Sequence, residues 1–114
     1  MPAGYTELFL EQGADFNMSI TLDDVGGDAF NLVNYSASSQ MRKSYYSSNA
    51  TATFSVSTGG ANAALGVITM TLDSANTANI TAGRYVYDVS ISNGSNRIRV
   101  LEGIVNVSPQ VTKN

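Results

Sequence analysis

The chain has 114 residues and a formal charge of −3 from 6 basic and 9 acidic side chains, and it contains no Cys, His or Trp. That length suits one domain around one core. The missing Cys and His remove the usual ligands of zinc, iron–sulfur, haem and blue-copper centres, and with them the nucleophile–histidine pairs of common hydrolases.

Charged residues make up 13% and hydrophobic ones 43%, which is too apolar for a disordered chain. The polar surface falls instead to 11 Asn, 14 Ser and 10 Thr. No apolar run reaches the 18 residues of a membrane span, and no basic stretch leads into an apolar one near residue 1, so a soluble product without an export signal is expected. A pI near 4.5 argues against a nucleic-acid partner.

Residues 5–11 hold Leu8-Phe9-Leu10 between polar flanks and read as a strand, with Gln12-Gly13 as a turn. Asp15-Phe16-Asn17-Met18-Ser19-Ile20-Thr21-Leu22 alternates polar and apolar without a break, the mark of a half-buried strand. The loop that follows carries Asp23, Asp24 and Asp28. Three carboxylates in one loop are a weak calcium candidate, but the bidentate acid of an EF-hand is missing, and a solvated hairpin tip is the plainer reading.

Tyr35, Ala37, Ser39 and Met41 form a second alternation, and Phe54 with Val56 a third. Residues 58–64 read as a loop, and Val67-Ile68-Thr69-Met70-Thr71-Leu72 as a fourth strand rich in β-branched residues. Asp73 can cap a single helical turn in the crossover that follows. Gly83 opens a run in which Tyr85, Tyr87, Val89 and Ile91 share one face. Tyr85 is the candidate for a tyrosine corner, its hydroxyl tied to upstream backbone.

Asn93-Gly94 reads as a type I′ hairpin turn into a last strand from about Arg97. There the apolar phase slips at Val100-Leu101, which calls for a β-bulge or a change of sheet. Residues from 109 onward read as a tail. The chain is thus expected to be one all-β domain over 1–114, its core at about 5–108, built as an antiparallel β-sandwich of seven to eight strands.

Arg42-Lys43 beside Tyr45-Tyr46 sets cations next to aromatic faces, the parts of a nucleic-acid or ligand platform. Two charges make no stripe, so packing against neighbours or a partner subunit is the favoured use. Arg97 and Arg99 project from one face of the last strand, with Arg84 and Asp88 placed across the hairpin as pairing candidates. Glu7, Glu11, Asp88 and Glu102 form no paired-carboxylate motif, and no histidine supplies a base near neutral pH, so neither an enzyme nor a cofactor is expected.

The order of these motifs carries a resemblance. Gln12-Gly13-Ala14-Asp15-Phe16 leads into Ile20-Thr21-Leu22-Asp23. Phe30-Asn31-Leu32-Val33-Asn34-Tyr35 follows with Gln40-Met41-Arg42, then Gly66-Val67-Ile68-Thr69-Met70-Thr71-Leu72 and residues 77–88. Leu101-Glu102-Gly103-Ile104-Val105-Asn106-Val107 and Val111-Thr112 close the series. Over about residues 8–112 this resembles small β-sandwich modules in the virions of tailed bacteriophages, most of all those of T4-like phages that infect cyanobacteria. Asn31-Leu32-Val33-Asn34 departs from the Asp-Leu-Thr-Gly type after the first hairpin.

The resemblance implies an Ig-like or upper-baseplate-like Greek key. It also implies a non-enzymatic role in a baseplate, tail or fibre, with a location in the virion, other virion proteins as partners, and homo-oligomers. It transfers no catalytic residue. The alternatives are a carbohydrate-binding adhesion module in which Tyr35, Tyr45 or Tyr46 stacks on a glycan, and a capsid decoration protein.

Overall fold

The computed structural model describes residues 4–22, 27, 30–58 and 64–111. Eight strands are present among them: β1 (Gly4–Tyr5), β2 (Leu8–Glu11), β3 (Phe16–Thr21), β4 (Ser36–Arg42), β5 (Ala52–Ser57), β6 (Val67–Leu72), β7 (Gly83–Ser92) and β8 (Arg97–Ser108). One short helix, α1 (Ser74–Thr77), lies between β6 and β7. The strands form a curled sheet in the order β1-β8-β7-β4-β5-β6-β3, with β2 also on β8.

The curl closes around one core. β7 contributes Tyr85, Tyr87, Val89 and Ile91, β6 contributes Ile68, Met70 and Leu72, and Leu8, Leu10, Met41, Phe54, Val105 and Val107 are among the others that fill it. Period-2 alternation does the work, since successive side chains point to opposite faces of a strand. Truncating one of the fully buried members, such as Met70, costs about 2–5 kcal/mol.

The sheet is mixed, which corrects the antiparallel expectation. β1 and β2 both run parallel to β8, with Gly4 facing Leu101 and Leu8 facing Val105. Alternation reports which face a residue occupies, and it is silent on strand direction. β5 also divides its allegiance: residues 52–54 pair with β4, whereas residues 55–57 pair with β6. The change of partner that the Val100-Leu101 slip left open therefore occurs in β5. At the slip itself β8 carries an extra residue, with Val89 facing Leu101 and Ser90 facing Arg99.

The Asn93-Gly94 turn is also corrected. Asn93 N–H donates to Asn96 O at 3.1 Å, so Gly94 and Ser95 are the central residues, and only Gly94 has positive φ, at 91°. A type I′ turn on Asn93-Gly94 needs positive φ at both. Asn93 instead acts through its side chain, whose Oδ1 accepts from Ser95 N and Asn96 N at 3.1 and 2.8 Å.

Two local devices fix the crossover. Asp73 caps α1, its Oδ1 accepting from Asn76 N at 3.0 Å, and the buried Thr77 hydroxyl donates to Ala14 O at 2.8 Å. Asn34 stands at φ 70°, the left-handed region that Asn tolerates better than most residues. The Asn31 side chain accepts from Val33 N at 3.0 Å in the same turn.

The Tyr85 hydroxyl donates to Thr81 O at 2.6 Å, tying the start of β7 to the chain four residues upstream. Tyr85→Phe is expected to lower unfolding free energy by about 1–2 kcal/mol, because the hydrogen bond goes and a part-buried carbonyl is left unpaired. Urea titration of the two proteins measures it; equal midpoints would show that the bond contributes nothing.

Candidate functional site

The outer face of β4, β7 and β8 collects most of the residues singled out above. In the observed register Gln40 faces Asp88, and Asp88 faces Glu102, so two carboxylates lie opposite each other. Arg99 resolves the repulsion. Its Nε lies 3.5 Å from Asp88 Oδ2 and its Nη1 3.3 Å from Glu102 Oε2. These pairs are largely exposed and each contributes well under 1 kcal/mol, so they orient the guanidinium more than they stabilise the fold.

Arg42 ends β4 on this face and braces the next loop. One of its terminal nitrogens, Nη1, donates to Ser47 O at 3.0 Å and the other, Nη2, to Gln40 Oε1 at 2.8 Å. The loop is a tight turn, with Ser47 N–H donating to Ser44 O at 3.2 Å and Thr51 N–H to Met41 O at 2.7 Å. It presents Tyr45 and Tyr46, which are 66% and 96% exposed.

Two adjoining depressions run along the face. One, of about 280 Å³, is lined by Gln40, Arg42, Tyr45, Val86, Asp88 and Arg99, with Tyr87 at its floor. The other, of about 370 Å³, continues past Ser38, Thr53 and Ser90 to Arg97. Together they form a shallow polar channel with one aromatic wall and three guanidinium groups.

Arg42, Tyr45, Arg97 and Arg99 are thus brought together, whereas Lys43 leaves the group. Its ammonium donates to Arg84 O at 3.2 Å and sits 4.8 Å from the centre of the Tyr85 ring, beside Gly83. Arg84 faces Asn106 and takes no part in the Asp88 pair, which belongs to Arg99. The hairpin register sets Arg99 opposite Ser90, two residues from Asp88 on the same face, and the bulge beyond it brings Glu102 opposite Asp88. Tyr35 is half-buried, with its ring edge-on to Phe30 at 5.6 Å, and lines neither depression. Asp23, Asp24 and Asp28 lie outside the described residues.

Phe9 is the residue that the candidate set missed. Leu8 and Leu10 are buried, so Phe9 between them points outward, where it is 68% exposed opposite Asn106. The alternation of Leu8-Phe9-Leu10 contains that signal, since three consecutive apolar residues on a strand cannot all face one core. Five of the chain's six basic residues lie on or directly after β4, β7 and β8. Asp15 and Asp73 lie instead at the far side of the sheet, where Asp15 Oδ1 accepts from Ser74 N at 2.7 Å.

The Tyr87 hydroxyl is pushed up from 10.0 to about 12, by burial first and by the neighbouring Tyr5 second. It points away from the channel and donates to Thr6 O at 2.7 Å, which makes it a structural group of the N-terminal edge.

No protein-family model matches the chain, and no curated protein matches it.

Proposed function

We propose that the chain is a non-enzymatic structural module of a tailed-phage particle, a component of its baseplate, tail or fibre, and that it works by subunit–subunit contact through the outer face of β4, β7 and β8. The observation that carries the contact is a channel with three arginines walled by Tyr45, on a surface that also exposes Tyr46 in the same loop and Phe9 on β2, each of the three aromatic side chains more than half exposed. Aromatic residues and arginine are the types that protein interfaces concentrate, and Asn, Ser and Thr suit a polar rim. The phage setting rests on the order of sequence motifs that resembles virion modules.

The finer architecture belongs to the same reading: an Ig-like sandwich in which β8, β7 and β4 form one layer and β6 and β3 the other. The change of partner within β5 and the Tyr85–Thr81 tie support it. The test is mass spectrometry of washed particles, with incorporation of the double variant Phe9→Ser and Tyr45→Ser compared with the parent. A loss of incorporation of tenfold or more at unchanged melting temperature is expected. A parent protein missing from washed particles would sink the proposal.

A second reading has its own support. Tyr45 walls a depression with Gln40, Arg42, Asp88 and Arg99, a combination of aromatic face and hydrogen-bonding groups that suits a sugar ring. Glycan-array binding lost on Tyr45→Ala would favour it, and silence on the array would favour the structural role alone.

A further inference from the structure

The sheet ends on β3, whose pairing with β6 runs without interruption from Phe16 opposite Leu72 to Thr21 opposite Val67. Among the described residues no strand covers its other side. Such edges in monomeric proteins carry a guard, commonly Lys, Pro, a bulge or an inward charge. β3 reads Phe-Asn-Met-Ser-Ile-Thr and has none. The opposite edge of the sheet is guarded: it breaks at residues 6–7 and carries Glu7 and Glu11.

Which backbone groups face outward follows from one bond. Leu22 N–H donates to Gly66 O at 2.7 Å, continuing the β3–β6 register. In an antiparallel ladder, bonded and non-bonded positions alternate, so Ile20, Met18 and Phe16 turn their amides toward β6. Asn17, Ser19 and Thr21 turn theirs to the open side. The inward row is also unfinished: Phe16, Met18 and Ile20 are only half-buried, while their β6 partners Leu72, Met70 and Ile68 are 5%, 0% and 0% exposed.

We infer that β3 pairs antiparallel with β3 of a second copy, continuing the sheet across a twofold axis. An isologous contact brings a strand against itself, which repels when the strand is charged and does not when it is neutral. A twofold perpendicular to the sheet keeps inward rows inward. The register that uses the three open positions and no residue beyond the strand centres on Ser19. It sets Asn17 against Thr21 and Ser19 against Ser19, with about six new backbone hydrogen bonds. It also sets Met18 against Ile20, finishing the half-buried row on both sides. The inference goes beyond the outer-face contact by adding a second contact, at the β3 edge, whose partner is a copy of the chain, and it rests on the particle reading only for its setting.

The test is sedimentation equilibrium of the full chain with Ser19→Lys and Ser19→Glu, alone and mixed. Ser19 is exposed on the outer face of β3, beside Thr69, so each variant is expected to melt as the parent does. The parent should sediment at twice the monomer mass, each variant at the monomer mass, and the equimolar mixture again at twice, because Lys then meets Glu across the axis. A monomeric parent overturns the inference. So does a dimer that survives Ser19→Lys but dissolves with Phe9→Ser and Tyr45→Ser, an outcome that leaves the outer-face contact standing. A Ser19-dependent dimer absent from washed particles upholds the pairing and removes the particle role.

Discussion

Gly103→Ala lowers the unfolding free energy by about 3 kcal/mol and releases the N-terminal edge before the rest of the sheet. A Cβ at position 103 falls far inside contact with Thr6 O, reaches 2.9 Å from Thr6 C and 3.2 Å from Tyr87 Cε1. Two of those atoms are backbone, so no rotamer change relieves the overlap. The one route open is for the chain near Thr6 to move off β8. That breaks the Thr6 N–H to Glu102 O bond of 3.0 Å and loosens Leu8 and Leu10, both buried, from the core. Hydrogen exchange at Phe9 and Leu10 should accelerate in the variant more than exchange in β6. An unchanged urea midpoint would mean that the edge yields freely and that Gly103 is not required.

Raising the pH from 10 to 12 removes about 2 kcal/mol of stability through Tyr87. The folded protein holds this phenol at about 12, against an ordinary 10.0, so the folded state keeps the proton where the unfolded chain releases it. The stabilisation is therefore complete below pH 10 and is lost as pH rises through 12. Burial supplies most of the effect, because a phenolate would be stranded against the core beside Thr6 O. Tyr87→Phe is expected to lose about 1 kcal/mol at pH 8, from the missing hydrogen bond to Thr6 O. Its stability should then fall less steeply between pH 10 and 12 than that of the parent. Denaturant midpoints of both proteins across that range give the comparison, and parallel curves would assign the alkaline loss elsewhere.

Strands were legible wherever alternation ran unbroken. Phe16, Met18 and Ile20 in β3 and Tyr85, Tyr87, Val89 and Ile91 in β7 each announced a face, and both strands stand within a residue or so of the expected bounds. The slip at Val100-Leu101 was legible as an irregularity, because two adjacent inward residues cannot sit on a regular ladder. Direction and partner were not legible. Nothing in Leu8-Phe9-Leu10 says that its neighbour is residue 105, running the same way, and nothing in Ala52-Thr53-Phe54-Ser55-Val56-Ser57 says that its halves pair with different strands.

The surface was harder still. Arg42, Tyr45, Arg97 and Arg99 could be named from residue type, but their assembly into one channel depends on β4, β7 and β8 being neighbours, a property of the whole fold. Lys43 was grouped with Arg42 by adjacency, but it stands one residue beyond the end of β4, where its ammonium turns to Arg84 O. Thr6 was invisible altogether, since its importance lies in a carbonyl that meets Gly103 and Tyr87 across three strands.

The pairing of Leu8 with Val105 has a consequence for the order of events during synthesis. Chains emerge from the ribosome at about 5–20 residues per second, so β2 waits roughly 5 to 20 s for β8, its only strand partner among the described residues. Meanwhile β7 lacks β8 as well, and Leu8, Leu10, Tyr87 and Val89 stay wet together. Completion of the core thereby waits for β8, and a product cut short before it would leave the apolar β2 with nowhere to dock.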